Sequence, residues 1–428
     1  MPSVSFSPTL SAAGTAKLRA YLAEAAKTLP APFVEIGSPE GVLFSERDGR
    51  IDMLDANSPK PKKDSIYWFA STTKLITAVA ALQLIDAGVL SLDTPMSKYF
   101  PQFAPPFEII RSIDAATGEP TFETSNEEIT VAQLMNQTSG FGLEMGEAVQ
   151  GWKKWSGKAM GHTNTCKKDN LMPIPPTELP GRRFEYGNGS EWLGLLIQEA
   201  TGSDLDAVFR SQIFDPLGMQ STTFYPFGEK QLPRLLPVRW LQRNEDGTTR
   251  WEKLERQCDL LNLPRTREEI EYPVAGGGIY TAPTDYLTLL RHLLSHHLSS
   301  SASSTLSLSA DAINSLFKGT LPDTELGHSG MALFADKYGA KPSELDWSTG
   351  LCIFTYPRQS SGQRPLLNGG NGRSSGSAGW AGAPGIEYWA DPVRKVAVVC
   401  GTQMLPGNDV AVDEFKQEVE RLVYEALE

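Results

Sequence analysis

The run Ile66-Tyr67-Trp68-Phe69-Ala70-Ser71-Thr72-Thr73-Lys74-Leu75-Ile76-Thr77-Ala78-Val79 carries a short apolar strand straight into a helix. Ile66 to Ala70 are bulky and apolar. From Thr72 to Ala87, Leu75, Val79, Leu82 and Ile85 recur at helical spacing, and Gly88 is the stop. Ser71 and Lys74 stand at i and i+3, so their side chains share one helix face. A neutral lysine there can take the serine proton and make the hydroxyl a nucleophile. Neutrality asks for burial or a neighbouring cation. Amides at the helix N-terminus can meanwhile stabilise an oxyanion.

The spacing alone decides nothing. With 36 serines and 19 lysines in 428 residues, about 1.6 S-x-x-K matches arise by chance, and two occur. The other, Ser315 to Lys318, falls inside an expected helix from Ala310 to Phe317, where no free amides face the hydroxyl. A plain N-cap is the competing reading of Ser71. A second element is Tyr186-Gly187-Asn188, after Pro180-Gly181 and before a helix. A tyrosine beside an activated serine can relay the proton to a leaving group, though a turn with a packed aromatic has the same letters. The third is Gly379-Trp380-Ala381-Gly382-Ala383-Pro384-Gly385, whose small residues allow close backbone approach and an edge N–H for an oxyanion. Alone it reads as a glycine-rich turn.

Working outward, residues 10–28 have helical spacing, and Pro30 and Pro32 stop that helix. FVEIG, GVLFSER and RIDML read as short strands. Residues 93–264 hold helical candidates at Val131–Asn136, Ser190–Thr201 and Leu205–Ile213 among long loops. The serine-rich stretch 297–308 reads as a surface loop. LCIFTY, IEYWAD and KVAVVCGTQ read as strands, and the final VDEFKQEVERLVYEAL as an amphipathic helix. The expected fold class is therefore α+β. Residues 1–92 and 265–428 form an antiparallel sheet flanked by helices, residues 93–264 form an inserted, mostly helical lobe, and the site lies in the cleft between them.

The net charge of −12 and pI near 5.1 argue against a nucleic-acid partner. The basic clusters Lys60, Lys62, Lys63 and Lys153, Lys154, Lys158 read as solvated loops. Cys166, Cys258, Cys352 and Cys400 are scattered, with no C-x-x-C. His292 and His296 lack the third ligand that catalytic zinc normally has, so no metal is expected. There is no dinucleotide fingerprint or P-loop, and serine chemistry needs no cofactor. The opening MPSVSFSPTLSAAG has no basic start leading to an apolar core, and Leu75–Leu90 is too short and too interrupted to span a bilayer. The expected location is cytoplasmic, with no membrane partner.

The three elements, in this order, resemble the serine β-lactamase and penicillin-binding-protein superfamily. More narrowly, they are similar to its class C-like esterase branch (family VIII carboxylesterases) and to fungal transesterases of the lovastatin acyltransferase type. Further stretches support the resemblance: Leu90-Ser91-Leu92-Asp93, Leu134-Met135-Asn136-Gln137-Thr138-Ser139-Gly140, and Gly276-Gly277-Gly278-Ile279-Tyr280-Thr281. It implies Ser71 as acylated nucleophile, Lys74 as its activator and Tyr186 as acid/base partner. Asn188 would orient substrate, Trp380, Ala381, Gly382 and Ala383 would line its binding, and the N–H groups of Ser71 and Ala383 would form the oxyanion hole. The substrate would be a small-molecule ester, with an alcohol as a possible acyl acceptor. Gln137 replaces the family's usual histidine. Trp380-Ala381 replaces Lys-Thr, which removes a cation suited to a β-lactam carboxylate and fits an uncharged ester. Trp152, Trp155, Met145 and Met160 are candidates for an acyl pocket or for ordinary core. Gly372-Arg373-Ser374-Ser375-Gly376 matches a nucleophile elbow, but no histidine follows it in the chain. A β-lactamase, a peptidase and a non-catalytic binding protein remain alternatives.

Overall fold

Val396-Ala397-Val398-Val399-Cys400 is apolar at every position because both faces of its strand are covered. The protein is described here from a computed structural model covering residues 7–157, 163–254, 266–299, 304–355, 363–366 and 371–428. Val396–Gly401 belongs to a seven-stranded antiparallel sheet. Its order is Val42–Arg47, Phe33–Gly37, Val396–Gly401, Ile386–Asp391, Ser377–Gly382, Cys352–Phe354, Leu345–Trp347. Side chains alternate between faces along each strand. Val396, Val398 and Cys400 therefore join Leu18 and Leu22 of the helix Ala12–Ala25 and Phe415, Val419 and Val423 of the helix Val410–Ala426. Ala397 and Val399 join the opposite cluster, with Tyr286 and Leu290 of the helix Pro283–Leu298. The two chain ends thus share one sheet, and Ser11 N–H donates to Ala426 O at 2.9 Å.

Several sequence expectations need adjustment. The helix Thr73–Asp86 has no exposed stripe over most of its length: every residue from Thr73 to Leu84 is buried. It lies within the larger core cluster and packs on the helix Gly189–Thr201. RIDML is a turn rather than a strand. Asp52 accepts the Leu54 N–H at 3.0 Å, and its own N–H donates to Ser58 Oγ at 2.9 Å. The first part of Gly379–Gly385, read as a glycine-rich turn, belongs to the sheet strand Ser377–Gly382, which pairs with Ile386–Asp391. The helix Pro283–Leu298 was not anticipated, although Leu287, Leu290 and Leu294 carry its period. The middle of the chain also holds two hairpins, Phe107–Ile113 with Pro120–Ser125 and Arg239–Arg243 with Thr249–Lys253. Among the described residues, no helix is long and apolar enough to cross a membrane.

Candidate active site

The strand Tyr67–Ala70 pairs with Ile279–Thr281, and its register slips between Trp68 and Ala70. Ala70 has φ of +46°, in the left-handed region that a residue with a Cβ seldom enters. That turn takes the chain off the strand. Thr72 is the N-cap and Thr73 the first helical residue, so Ser71 sits one position ahead of the cap and half-buried. The junction is pinned on three sides. Thr73 Oγ1 donates to Ala70 O at 2.6 Å and accepts from Ile279 N–H at 3.0 Å, and Tyr286 Oη donates to Thr72 O at 2.9 Å.

Lys74 is only 6% exposed. Its Nζ donates to Gly276 O at 2.8 Å and lies 4.6 Å from the Tyr186 ring centroid. Two more bonds fasten the same glycine turn, from Thr77 Oγ1 to Ala275 O at 2.7 Å and from Trp68 Nε1 to Gly277 O at 2.8 Å. Lys74 is thus directed at the glycine turn, with Ser71 one helical turn away. Catalytic hydrogen bonds in sites without substrate are commonly long and tighten in the complex.

Tyr186 reaches this point because of the turn that follows it. Gly187 lies against the backbone of Phe141 and Gly142, where a Cβ would come within 2.1 Å of Phe141 O. Gln137, buried in the left-handed region, clamps the same turn. It accepts the Gly187 N–H at 3.3 Å and donates to Ser190 Oγ at 3.0 Å. The glutamine therefore supplies both a donor and an acceptor in place of the histidine the resemblance implies. Asn188 is buried as N-cap of the helix Gly189–Thr201, and its side chain makes no cap hydrogen bond.

Trp380, Ala381 and Gly382 enter from the sheet. A Cβ on Gly382 would lie 2.3 Å from Phe69 O and 3.3 Å from Thr72 Cγ2, so this strand end abuts the Ser71 turn and Ala383, exposed, follows beside it. The Trp380 indole N–H donates to Tyr186 Oη at 3.2 Å. Phe334 and Trp347 complete an aromatic box around that pair, with centroids 4.7 and 4.6 Å from Trp380. Ser71, Lys74, Tyr186, Asn188 and the 380–383 segment are thus connected through direct contacts or through shared turns. Sequence reading quoted Gly276, Gln137 and Trp380 within motifs but missed the Gly276 carbonyl as the Lys74 acceptor, the Gln137 clamp and the aromatic box, because these contacts join segments far apart in the chain.

The competing motifs go elsewhere. Ser374 is 2% exposed, and its Oγ has no hydrogen-bond partner among the described residues. The neighbouring Arg373 is locked between Glu387 and Glu420, at 2.7 Å from each. Burial alone would raise the Glu387 carboxyl, but Arg373, Lys337 and Lys416 hold it down to about 2. That segment is a buried charge cluster. Ser315 Oγ donates to Ala312 O at 2.7 Å and meets Thr349 Oγ1 at 3.0 Å. The His292 and His296 rings lie 4.4 Å apart, and among the described residues no three metal-ligating side chains cluster. Trp152 packs with Ile110, Val149 and Ile174 as core, whereas Trp155 and Met145 are exposed. Met160, Lys158, His162 and Cys258 lie outside the described residues, as do residues 300–303 of the serine-rich stretch.

A serine at a strand-to-helix junction with a buried lysine one turn on, beside a helix-covered antiparallel sheet, agrees with the serine β-lactamase-like class. The chain belongs to the β-lactamase family, whose model matches residues 41–421. It is 27% identical over 377 residues to ML-236A carboxylate methylbutanoyltransferase mlcH of Penicillium citrinum, covering 86% of this chain and 82% of that one. It is 28% identical to the lovastatin esterase of Penicillium rubens over 192 residues, 44% of this chain and 47% of that one. In three dimensions it is similar to unliganded simvastatin synthase (LovD) from Aspergillus terreus, with a TM-score of 0.78 at 22% identity over 97% of this chain and 98% of that one.

Proposed function

We propose that this chain is a serine-dependent ester hydrolase and acyl transferase that cleaves a small or secondary-metabolite ester through an acyl-enzyme on Ser71. The observation that carries the reading is Lys74: buried one turn from Ser71, it holds its Nζ 4.6 Å from the ring centre of Tyr186. Ser71 Oγ attacks the ester carbonyl and its proton passes to Lys74 Nζ. The oxyanion is met by the N–H groups of Ser71 and Ala383. As the C–O bond breaks, Tyr186 gives its proton to the leaving alkoxide and recovers one from Lys74. Water or an alcohol then takes the acyl group by the reverse route. Asn188 orients the substrate, and Trp380, Ala381 and Gly382 present an uncharged strand to it. Residues 1–92 with 265–428 act as one lobe and 93–264 as the other, with the substrate between them. Among the described residues, Cys166, Cys352 and Cys400 are buried free thiols, which supports a reducing, cytoplasmic setting.

The relatives named a methylbutanoyltransferase and a lovastatin esterase favour an acyl group of a few carbons and a secondary-metabolite alcohol. The test is turnover of p-nitrophenyl butyrate with and without an apolar alcohol, beside the β-lactam nitrocefin. The expected result is release of p-nitrophenol, capture of part of the butyryl group as a new ester, and far slower nitrocefin turnover. Nitrocefin turning over faster than the ester would reassign the chain to β-lactam hydrolysis. Within this reading, Trp380→Phe removes the N–H donated to Tyr186 but keeps an aromatic ring. One neutral hydrogen bond contributes about 1 kcal/mol, so kcat/KM should fall about fivefold. An unchanged kcat/KM would show that this N–H has no part in the reaction.

A further inference from the structure

Behind Lys74 the fold buries a second ionisable group that belongs to none of the sequence motifs. Glu191, in the first turn of Gly189–Thr201, is 5% exposed. Its carboxyl rests on Gly276, where a Cβ would lie 2.2 Å from Oε1 and 2.7 Å from Oε2. Gly276 is also the residue whose carbonyl accepts from Lys74 Nζ. Carboxyl and amine therefore meet at one glycine, and any larger residue there would displace the acid.

A structural role for Glu191 is the competing explanation. An acid in a first helical turn is favourable toward the helix dipole, and at this position it can reach back to the N-cap N–H. Here the Asn188 N–H already donates to Phe141 O at 3.0 Å. Glu191 Oε2 has no hydrogen-bond partner among the described residues, and burying such an oxygen without one is costly. The groups facing it are Lys74 from the nucleophile helix, Tyr272 from the segment before the glycine turn, and Glu144, which is paired with Lys153 at 3.9 Å. Burial holds the Glu191 carboxyl above its ordinary range, with Lys74 and then nearby backbone N–H groups opposing that rise. Lys74 is the sole cation among those facing groups.

We propose that Glu191 is a positioning residue of the acyl-transfer site, whose carboxylate is the counter-charge to the Lys74 ammonium formed when Ser71 gives up its proton. This rests on the reading of Ser71, Lys74 and Tyr186 given above. Glu191 neither gains nor loses a proton in the cycle. The serine proton resides on Lys74 while the tetrahedral adduct exists and leaves by way of Tyr186 to the alkoxide. The carboxylate stabilises the protonated amine, so removing it makes the base easier to deprotonate and weaker.

The test is the rate of fluorophosphonate labelling of Ser71 from pH 5 to 10, in the full chain and in Glu191→Gln, Glu191→Asp and Gly276→Ala. An opposite charge at short range moves a titration by about 1 to 3 units. Glu191→Gln should therefore move the acidic limb about one pH unit lower and drop the plateau about tenfold. Glu191→Asp should keep the limb near its original pH. Gly276→Ala, which pushes the carboxyl aside while keeping its charge, should move the limb in the same direction as Glu191→Gln and serves if that variant fails to fold. A purely structural role would change the yield or the melting temperature and leave the limb in place. Labelling at Ser71 with coincident limbs in Glu191→Gln and Gly276→Ala overturns the role of Glu191 alone. No labelling of Ser71 in the unsubstituted chain overturns the acyl-transfer reading, and the role of Glu191 with it.

Discussion

Ser71→Ala should lower turnover of an activated ester by about 10⁴-fold or more, the scale of loss when a catalytic serine is removed. The protein should remain folded. Ser71 is half-buried, precedes the N-cap rather than serving as one, and truncating such a residue usually changes stability by less than about 0.5 kcal/mol. Loss of activity with an unchanged melting temperature therefore separates chemistry from folding. Binding of a non-reactive ester analogue should persist, since the aromatic box and the 380–383 strand are untouched. Turnover that survives in Ser71→Ala would remove the nucleophile from this account. A chain that binds ligand but never turns over an ester, even before substitution, would favour the binding-protein alternative.

Tyr186→Phe should reduce kcat about 10³-fold while changing KM little, within the range usual for one general acid/base group. The phenyl ring keeps the packing against Phe334 and Trp380, whose centroids lie 5.1 and 5.3 Å away, and keeps the ring face above Lys74. The lost atom is Oη, with the hydrogen bond it accepts from Trp380. Pre-steady-state kinetics distinguish the step affected. Both acylation and deacylation should slow, because the same hydroxyl serves the leaving group and then the acceptor. A loss smaller than about fivefold in both steps would show that the leaving group takes its proton from elsewhere.

Much of this was legible in the sequence where one local rule governs. Val396–Gly401 is apolar throughout because both faces are covered, and Ser71 with Lys74 stands apart from the second S-x-x-K because an apolar strand leads straight into its helix. The reading failed where tertiary contact overrides local preference. Ser377–Gly382 is poor in β-branched residues, yet it forms a strand because Ile386–Asp391 pairs with it and its small end fits under Phe69. Ala70 has no propensity for a positive φ, and the register slip against Ile279–Thr281 accompanies it there. Gln137 stood out as a departure from a motif, but its clamp on Gly187 and the approach of Glu191 to Gly276 join positions distant in sequence, so neither contact was legible before the chain was folded.

The central claim is that the acyl group rests on Ser71. Intact-protein mass spectrometry after brief exposure to p-nitrophenyl butyrate, followed by peptide mapping, tests it directly. The account predicts one butyryl adduct, located on Ser71 and missing in Ser71→Ala. A butyryl group mapped to Ser374, or one that persists undiminished in Ser71→Ala, would contradict it.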